Sequence, residues 1–369
     1  MIIERGITIG SNIRFSDLPT VPYSSSGLYI FSTFTFGTGN VVGPTGPNTA
    51  WLFGNSYTSN VGNTWLQSTS YFSVDNNGYQ YWTVPSDGNY QITAAGSRSG
   101  ISTWSTYPVT ANMYGRGATI SGTFALSQGQ TIAIAVGQPA ANVSYASYIG
   151  GGGGGGTFVV LANTFPLVVA GGGGGTGGYS ASYYQGGNAT TTSSGGASNN
   201  GAPGGINGLG GNSHINASQT LSANGYDSGA GAGFLGNGAS GSSNAVRPGT
   251  AQTNYGTGGW SFAANLVGGP AATTFAATSA TAGGFGGAGG GGAISSGGGG
   301  GYSGGGGGYA TSSPLADSGG GGGSWVAANA TAIATHTGTY NGSGTFGALT
   351  VTTIGALNAG PGYVTITKV

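Results

Sequence analysis

The chain has 369 residues, 85 of them glycine, and only 3% are charged, with six basic and six acidic side chains that cancel. Soluble domains carry roughly 25% charged residues, and without a basic stretch there is no electrostatic footprint for nucleic acid or an anionic membrane surface. The 20 Tyr, 14 Phe and 6 Trp argue against simple disorder, and the lack of cysteine excludes disulfides and thiolate metal sites.

Residues 1–22 read as an N-terminal attachment peptide. Alternation in Gly6-Ile7-Thr8-Ile9-Gly10 predicts one short strand that cannot build a core alone. The pattern fits addition to another protein's sheet, with Ile7, Ile9, Ile13 and Phe15 as contacts, and equally a strand paired within its own domain. Glu4 and Arg5 stand where a signal peptide needs apolar residues, and no run approaches the ~18 apolar residues of a membrane span. Synthesis in a host cytoplasm without a signal peptide, and exit as part of a particle, is the expectation.

Residues 23–170 read as a β-sandwich, because apolar and polar residues alternate with period two between turn signals. Leu28, Ile30, Phe34 and Phe36 are expected to point inward, with Thr33 and Thr35 outward. A hairpin is predicted in YFSVDNNGYQYWTVP around Asn77-Gly78, and Tyr90, Ile92 and Ala94 continue the pattern. Two further strands set Ile120, Phe124 and Leu126 against Ile132, Ile134 and Val136, and another pair turns near Asn163. The predicted fold class is all-β, an antiparallel jelly-roll-like β-sandwich.

Residues 171–325 differ, with glycine runs such as Gly171–Gly175, Gly297–Gly301, Gly304–Gly308 and Gly319–Gly323. A hydrophobic core is not expected there. Order is predicted from an inserted bundle of polyglycine II helices, whose outward-pointing peptide groups bond between neighbours. Residues 326–369 regain alternation at 348–354 and in the closing PGYVTITKV, and are expected to complete the sandwich.

The blocks WTVPSDGNYQITAAG, GTFALSQGQTIAIAVGQ, PLVVAGGGGG, GGAGGGGAISSGGGGGYSGG and the closing GYVTI resemble the extracellular glycine-rich region of anaplastic-lymphoma-kinase-type receptors. That resemblance covers roughly residues 30–369 and implies a tumour-necrosis-factor-like sandwich with packed polyglycine helices. The chain is also similar to the tip adhesins of T-even-like phage tail fibres, and IIERGITIGSNIRFSDL looks like the start of small tail-associated proteins of such phages. It departs from the receptors in having no cysteine and no kinase or membrane segment, and from the tip adhesins in layout, since their attachment domain is larger.

Little in the chain points to catalysis. The only lysine is Lys368, so no P-loop exists. Gly231 to Gly236 matches a dinucleotide fingerprint without the flanking strand and helix that give it meaning. His214 and His336 stand far apart without an orienting acid, and Asp75 to Gly78 reads as a turn, not a calcium loop. Asp227 and Asp317 could meet as a carboxylate pair, but are expected to be solvated loop residues or backbone caps.

The chain is therefore expected to be no enzyme and to need no cofactor or metal. The favoured role is a structural or adhesive virion component, docked to other virion proteins through its N-terminus and presenting loops to a host-surface glycan or outer-membrane protein. Alternatives are a non-adhesive decoration or packing subunit and, more remotely, an ice-binding polyglycine protein. Receptor-binding candidates are Tyr179, Tyr183, Tyr184, Tyr226 and Trp260; each alone reads more readily as a lid over the bundle, and a subset as a recognition surface. Low charge and exposed aromatics also make a homo-oligomer a candidate.

Overall fold

The computed structural model describes residues 27–369 apart from 58–61, 101, 105–113, 146–147, 180–181, 214–226, 242–254, 274–279, 310–316, 328–331 and 336–356. The attachment residues Ile7, Ile9, Ile13 and Phe15 and the alternating stretch 348–354 lie outside the described residues.

The strands in chain order are β1 (Thr33–Phe36), β2 (Phe72–Val74), β3 (Gln80–Thr83), β4 (Gly88–Ala95), β5 (Ser102–Trp104), β6 (Thr119–Leu126), β7 (Thr131–Ala135) and β8 (Val143–Tyr145). They continue with β9 (Tyr148–Gly150), β10 (Thr157–Leu161), β11 (Phe165–Ala170), β12 (Gly177–Tyr179), β13 (Ser182–Tyr184), β14 (Trp325–Val326), β15 (Ala332–Thr335) and β16 (Tyr363–Lys368). A five-stranded sheet in the order β1-β16-β4-β6-β15 faces a six-stranded sheet in the order β14-β11-β10-β7-β3-β2, and every pairing within both is antiparallel. The fold is an all-β sandwich.

Period-two alternation explains the register. Phe34 and Phe36 oppose Ile366 and Val364 on the inner face, while Thr33 and Thr35 oppose Thr367 and Thr365 on the outer face, each threonine pair joined by a 2.9 Å hydroxyl bond. The chain's last strand thus lies between β1 and β4. Ile92, Ile120, Phe124, Ile132, Ile134 and Trp82 meet between the sheets and are fully buried; side chains of this size contribute about 1.5–3 kcal/mol each on burial. Ala162 and Asn163 adopt left-handed φ of 49° and 57° in the β10–β11 turn, which the Thr164 N–H closes on the Leu161 carbonyl, the positive φ at both central residues of a tight hairpin turn.

Two expectations are corrected here. Leu28 and Ile30 do not point inward; Ile30 is 95% exposed, and Tyr29 and Phe31 pack against the core instead. The phase of the alternation slips before Thr33, because Tyr29 stacks on Trp65, Phe31 packs at a tilt against Trp82, and the larger aromatics take the interior. The glycine-rich region also has an apolar anchor. Phe234, Leu266 and Phe285 pack with Tyr79, Phe158, Val160 and Val169 against the outer face of the six-stranded sheet. Isolated aromatics separated by glycine give no periodic signal, so this second core was hidden in the sequence.

Beyond the sheets, the glycine runs carry neither helical nor β-ladder bonding, and most of their residues are buried. They bond sideways. The run 297–302 donates in three directions in rotation: Gly297 and Gly300 to the carbonyls of Gly151 and Gly154, Gly298 and Gly301 to those of Gly229 and Ala232, and Gly299 and Tyr302 to those of Gly320 and Gly323, all at 2.8–3.2 Å. Neighbouring runs repeat the step of three, as in Gly172 to Gly300 with Gly175 to Gly297, and Gly319 to Gly175 with Gly322 to Gly172. Glycine is required there by proximity. A Cβ on Gly299 would stand 2.1 Å from the Gly172 oxygen, and one on Gly155 1.7 Å from the Phe285 oxygen.

Candidate functional site

One end of the glycine runs continues into the sandwich through β10, β11 and β14. The other end is tied by small polar side chains. Ser228 Oγ donates to the carbonyls of Ser296 (2.7 Å) and Gly308 (3.0 Å), and Ser296 Oγ accepts the Gly151 N–H at 3.1 Å. Serine suits this place because its hydroxyl reaches a neighbouring peptide group without holding the runs apart.

Asp317 is the centre of this end. The side chain is fully buried, and its two oxygens accept the backbone N–H groups of Asn200 (3.0 Å) and Tyr309 (2.8 Å). Loss of water pushes its pKa up to about 6, against the opposing pull of these donors and of the Ser198 hydroxyl. Asp227 is fully buried as well. The expectation that both acids are solvated is therefore overturned. The alternative of a backbone cap describes Asp317, because charge-free surroundings offer peptide N–H groups as its main partners.

The same end collects chain from distant parts of the sequence. Ser213 Oγ donates to the Ser240 carbonyl at 2.8 Å, Gly241 N–H to Gly256, and Gly256 N–H to Asp227. Asn200 Nδ2 reaches the Tyr309 carbonyl at 3.0 Å, and Gly150 forms a bridge with Ala280. The residues flanking segments 214–226, 242–254, 274–279 and 310–316 are thus held together at this end of the molecule.

The expected receptor-binding residues that are described lie in two places. Tyr179, Tyr183 and Tyr184 lie on strands, not in open connections: β12 and β13 pair with β9 in a three-stranded sheet of order β13-β12-β9. In its register Gly177 pairs with Gly150 and Tyr184, and Gly150 and Gly177 approach the runs at Gly292 and Asp317. Trp260 is at the other end of the runs, its N–H bonded to Val267 and its carbonyl against Gly287. It is half-buried, and its indole N–H is enclosed without an acceptor. Tyr226, His214 and His336 lie outside the described residues.

Among the described residues no group of three or more His, Asp or Glu is placed to hold a metal, and no helix is long and apolar enough to cross a membrane. Sequence reasoning missed a different surface. Ile206, Leu209 and Leu235 are all more than half exposed and lie on two adjoining tight turns. Asn207-Gly208 between Ile206 and Leu209 was the available signal, since that dipeptide marks a two-residue turn with exposed shoulders. No protein-family model matches the chain, and no curated protein matches it either.

Proposed function

We propose that the chain is a structural or adhesive component of a tailed-phage virion, in which a jelly-roll-type sandwich anchors a bundle of polyglycine II helices that presents loops for host-surface recognition. The observation that carries the platform is the rotation of N–H donors through three neighbours with a step of three residues. A left-handed helix with three residues per turn and no internal hydrogen bonds produces this pattern, and glycine allows the close approach. Rods bonded on three sides make a stiff base, and the gathered flanks of four segments at the Asp317 end give that base something to present. The virion assignment rests on the resemblance of the N-terminal segment to tail-associated proteins and of the block order to polyglycine tip adhesins.

A second reading, a non-adhesive packing subunit, is favoured by the pairing of β12 and β13 with β9, which places Tyr179, Tyr183 and Tyr184 on strands and not in open loops. Two measurements separate the readings. Antibodies to the chain should decorate purified phage particles at an appendage, and purified chain should compete with those particles for adsorption to host cells. Decoration without competition supports the packing subunit, and no decoration removes the virion assignment altogether.

A further inference from the structure

The chain holds five arginines and one lysine, and two of the arginines meet. Beyond β4 and β6 the Gly96 N–H bonds to the Ala118 carbonyl and the Ser99 N–H to the Gly115 carbonyl, both at 2.9 Å, which continues the antiparallel register that sets Ala95 opposite Thr119. Arg98 therefore stands opposite Arg116. Their guanidinium carbons lie 5.6 and 5.9 Å from the centre of one ring, that of the buried Tyr114. Like charges directly across a strand pair are destabilising, and attraction to a single tyrosine ring offsets only part of that.

Both arginines are partly buried. Arg98 Nη1 donates to the Ser99 carbonyl at 2.6 Å and to Asn142 Oδ1 at 3.4 Å, and Asn188 Oδ1 accepts the Arg116 backbone N–H at 3.0 Å. Asn142 and Asn188 are exposed, so an uncharged amide stands beside each arginine. Among the described residues, Arg98 Nε and Nη2 donate to no acceptor. Loss of water lowers the Arg98 pKa. The described acids are engaged elsewhere: Asp75 accepts the N–H groups of Asn77 and Tyr79, Asp87 that of Gln128, and Asp317 those of Asn200 and Tyr309. Asp227 is buried beside Gly241 and Gly256.

We propose that Arg98 and Arg116 bind a phosphate monoester carried on a sugar. Charge selects the anion. A phosphate monoester bears about −1.5 to −2 charges and three acceptor oxygens, enough to face two guanidinium groups, each of which presents a fork of parallel N–H donors. A carboxylate has a single charge and is satisfied by one fork. Binding also relieves the repulsion between the arginines, so their pairing is favourable in the complex and costly without it. Neutral amides at the rim match the hydroxyl groups of a sugar. The site follows from the placement of these residues and does not rest on the virion reading.

Titration of the full, isotope-labelled chain with glucose 6-phosphate tests the site by nuclear magnetic resonance, because five arginine Nε–H signals are few enough to separate. The Arg98 and Arg116 signals should shift and saturate in the millimolar range. Arg98→Gln and Arg116→Gln should each weaken binding by about tenfold or more, the worth of one charge-assisted bond; Arg98→Lys, which keeps the charge and loses the fork, should fall between. Glucuronate should bind about tenfold more weakly, inorganic phosphate more weakly than the sugar phosphate, and glucose should shift nothing. Glucose 6-phosphate should also raise the denaturation midpoint of the wild type, a readout that needs no variant to fold. No shift at Arg98 and Arg116, an equal shift at all five arginines, unchanged affinity in both glutamine variants, or glucuronate binding as tightly would overturn the site. Inorganic phosphate binding as tightly as the sugar phosphate would overturn the sugar as carrier. The probes are small anions on the free chain, so failure here leaves the virion assignment to its own test.

Discussion

Replacing Gly299 with alanine tests the claim that the glycine runs are held by peptide groups in contact. The added methyl would stand 2.1 Å from the Gly172 oxygen, where ordinary contact begins at 3.4 Å, so the two runs must part by about 1.3 Å. The bonds from Gly172 to Gly300 and from Gly175 to Gly297 are both 2.8 Å long, and that displacement carries them past hydrogen-bonding range. Leaving two buried donor–acceptor pairs unmade costs about 1–3 kcal/mol for each, so a loss of about 2–6 kcal/mol is expected, a large share of the 5–15 kcal/mol typical of folded domains. Gly54→Ala is the control, since a Cβ there meets nothing within 4 Å. Urea denaturation followed by circular dichroism reads both variants. If Gly299→Ala unfolds within about 0.5 kcal/mol of Gly54→Ala, a margin normal for neutral surface changes, the close-contact reasoning is wrong.

Asp317 makes stability depend on pH. Its folded pKa of about 6 lies above the ordinary aspartate value of 3.8, so the folded state holds the proton more tightly. This contribution is complete below pH 3.8 and is lost as pH rises through 6, by about 3 kcal/mol at 1.36 kcal/mol per pH unit. Denaturation midpoints between pH 4 and 7 should fall with rising pH, and Asp317→Asn should flatten that slope; an equal slope in the variant would exclude Asp317 as its source. Phe285→Ala removes a fully buried ring from the contact between the glycine region and the outer face of the sheet. A loss of about 3–5 kcal/mol is expected, with amide exchange rising at Gly286 and Gly156, which are hydrogen-bonded beside it, before it rises in β4 and β16. Uniform acceleration across all strands would mean that the ring supports the sandwich and not the junction.

Much of the sandwich was legible because a half-buried strand writes its two faces into alternate residues. TFTF and YVTITK each announce one inner and one outer face, and their register in the fold keeps that division. The hairpins at Asn77-Gly78 and Asn163 were equally plain, since few residues tolerate the backbone of a tight turn. Alternation failed at Leu28 and Ile30, where the residue types fit an inner face but larger rings compete for it. A one-residue change of phase is invisible when aromatic and aliphatic residues are interleaved.

Composition alone determined that the glycine runs must find most of their order in peptide groups, because glycine supplies no side chain to bury and almost no charges remain to pair. Tertiary structure decided which run bonds to which, since every glycine offers the same N–H and C=O and a run carries no mark of its partner. It also decided that Asp317 is enclosed, that the tyrosines of β12 and β13 lie on strands paired with β9, and that three aliphatic residues stand together on the surface. These outcomes depend on contacts between residues that are distant along the chain, and local pattern records only what neighbours in sequence require.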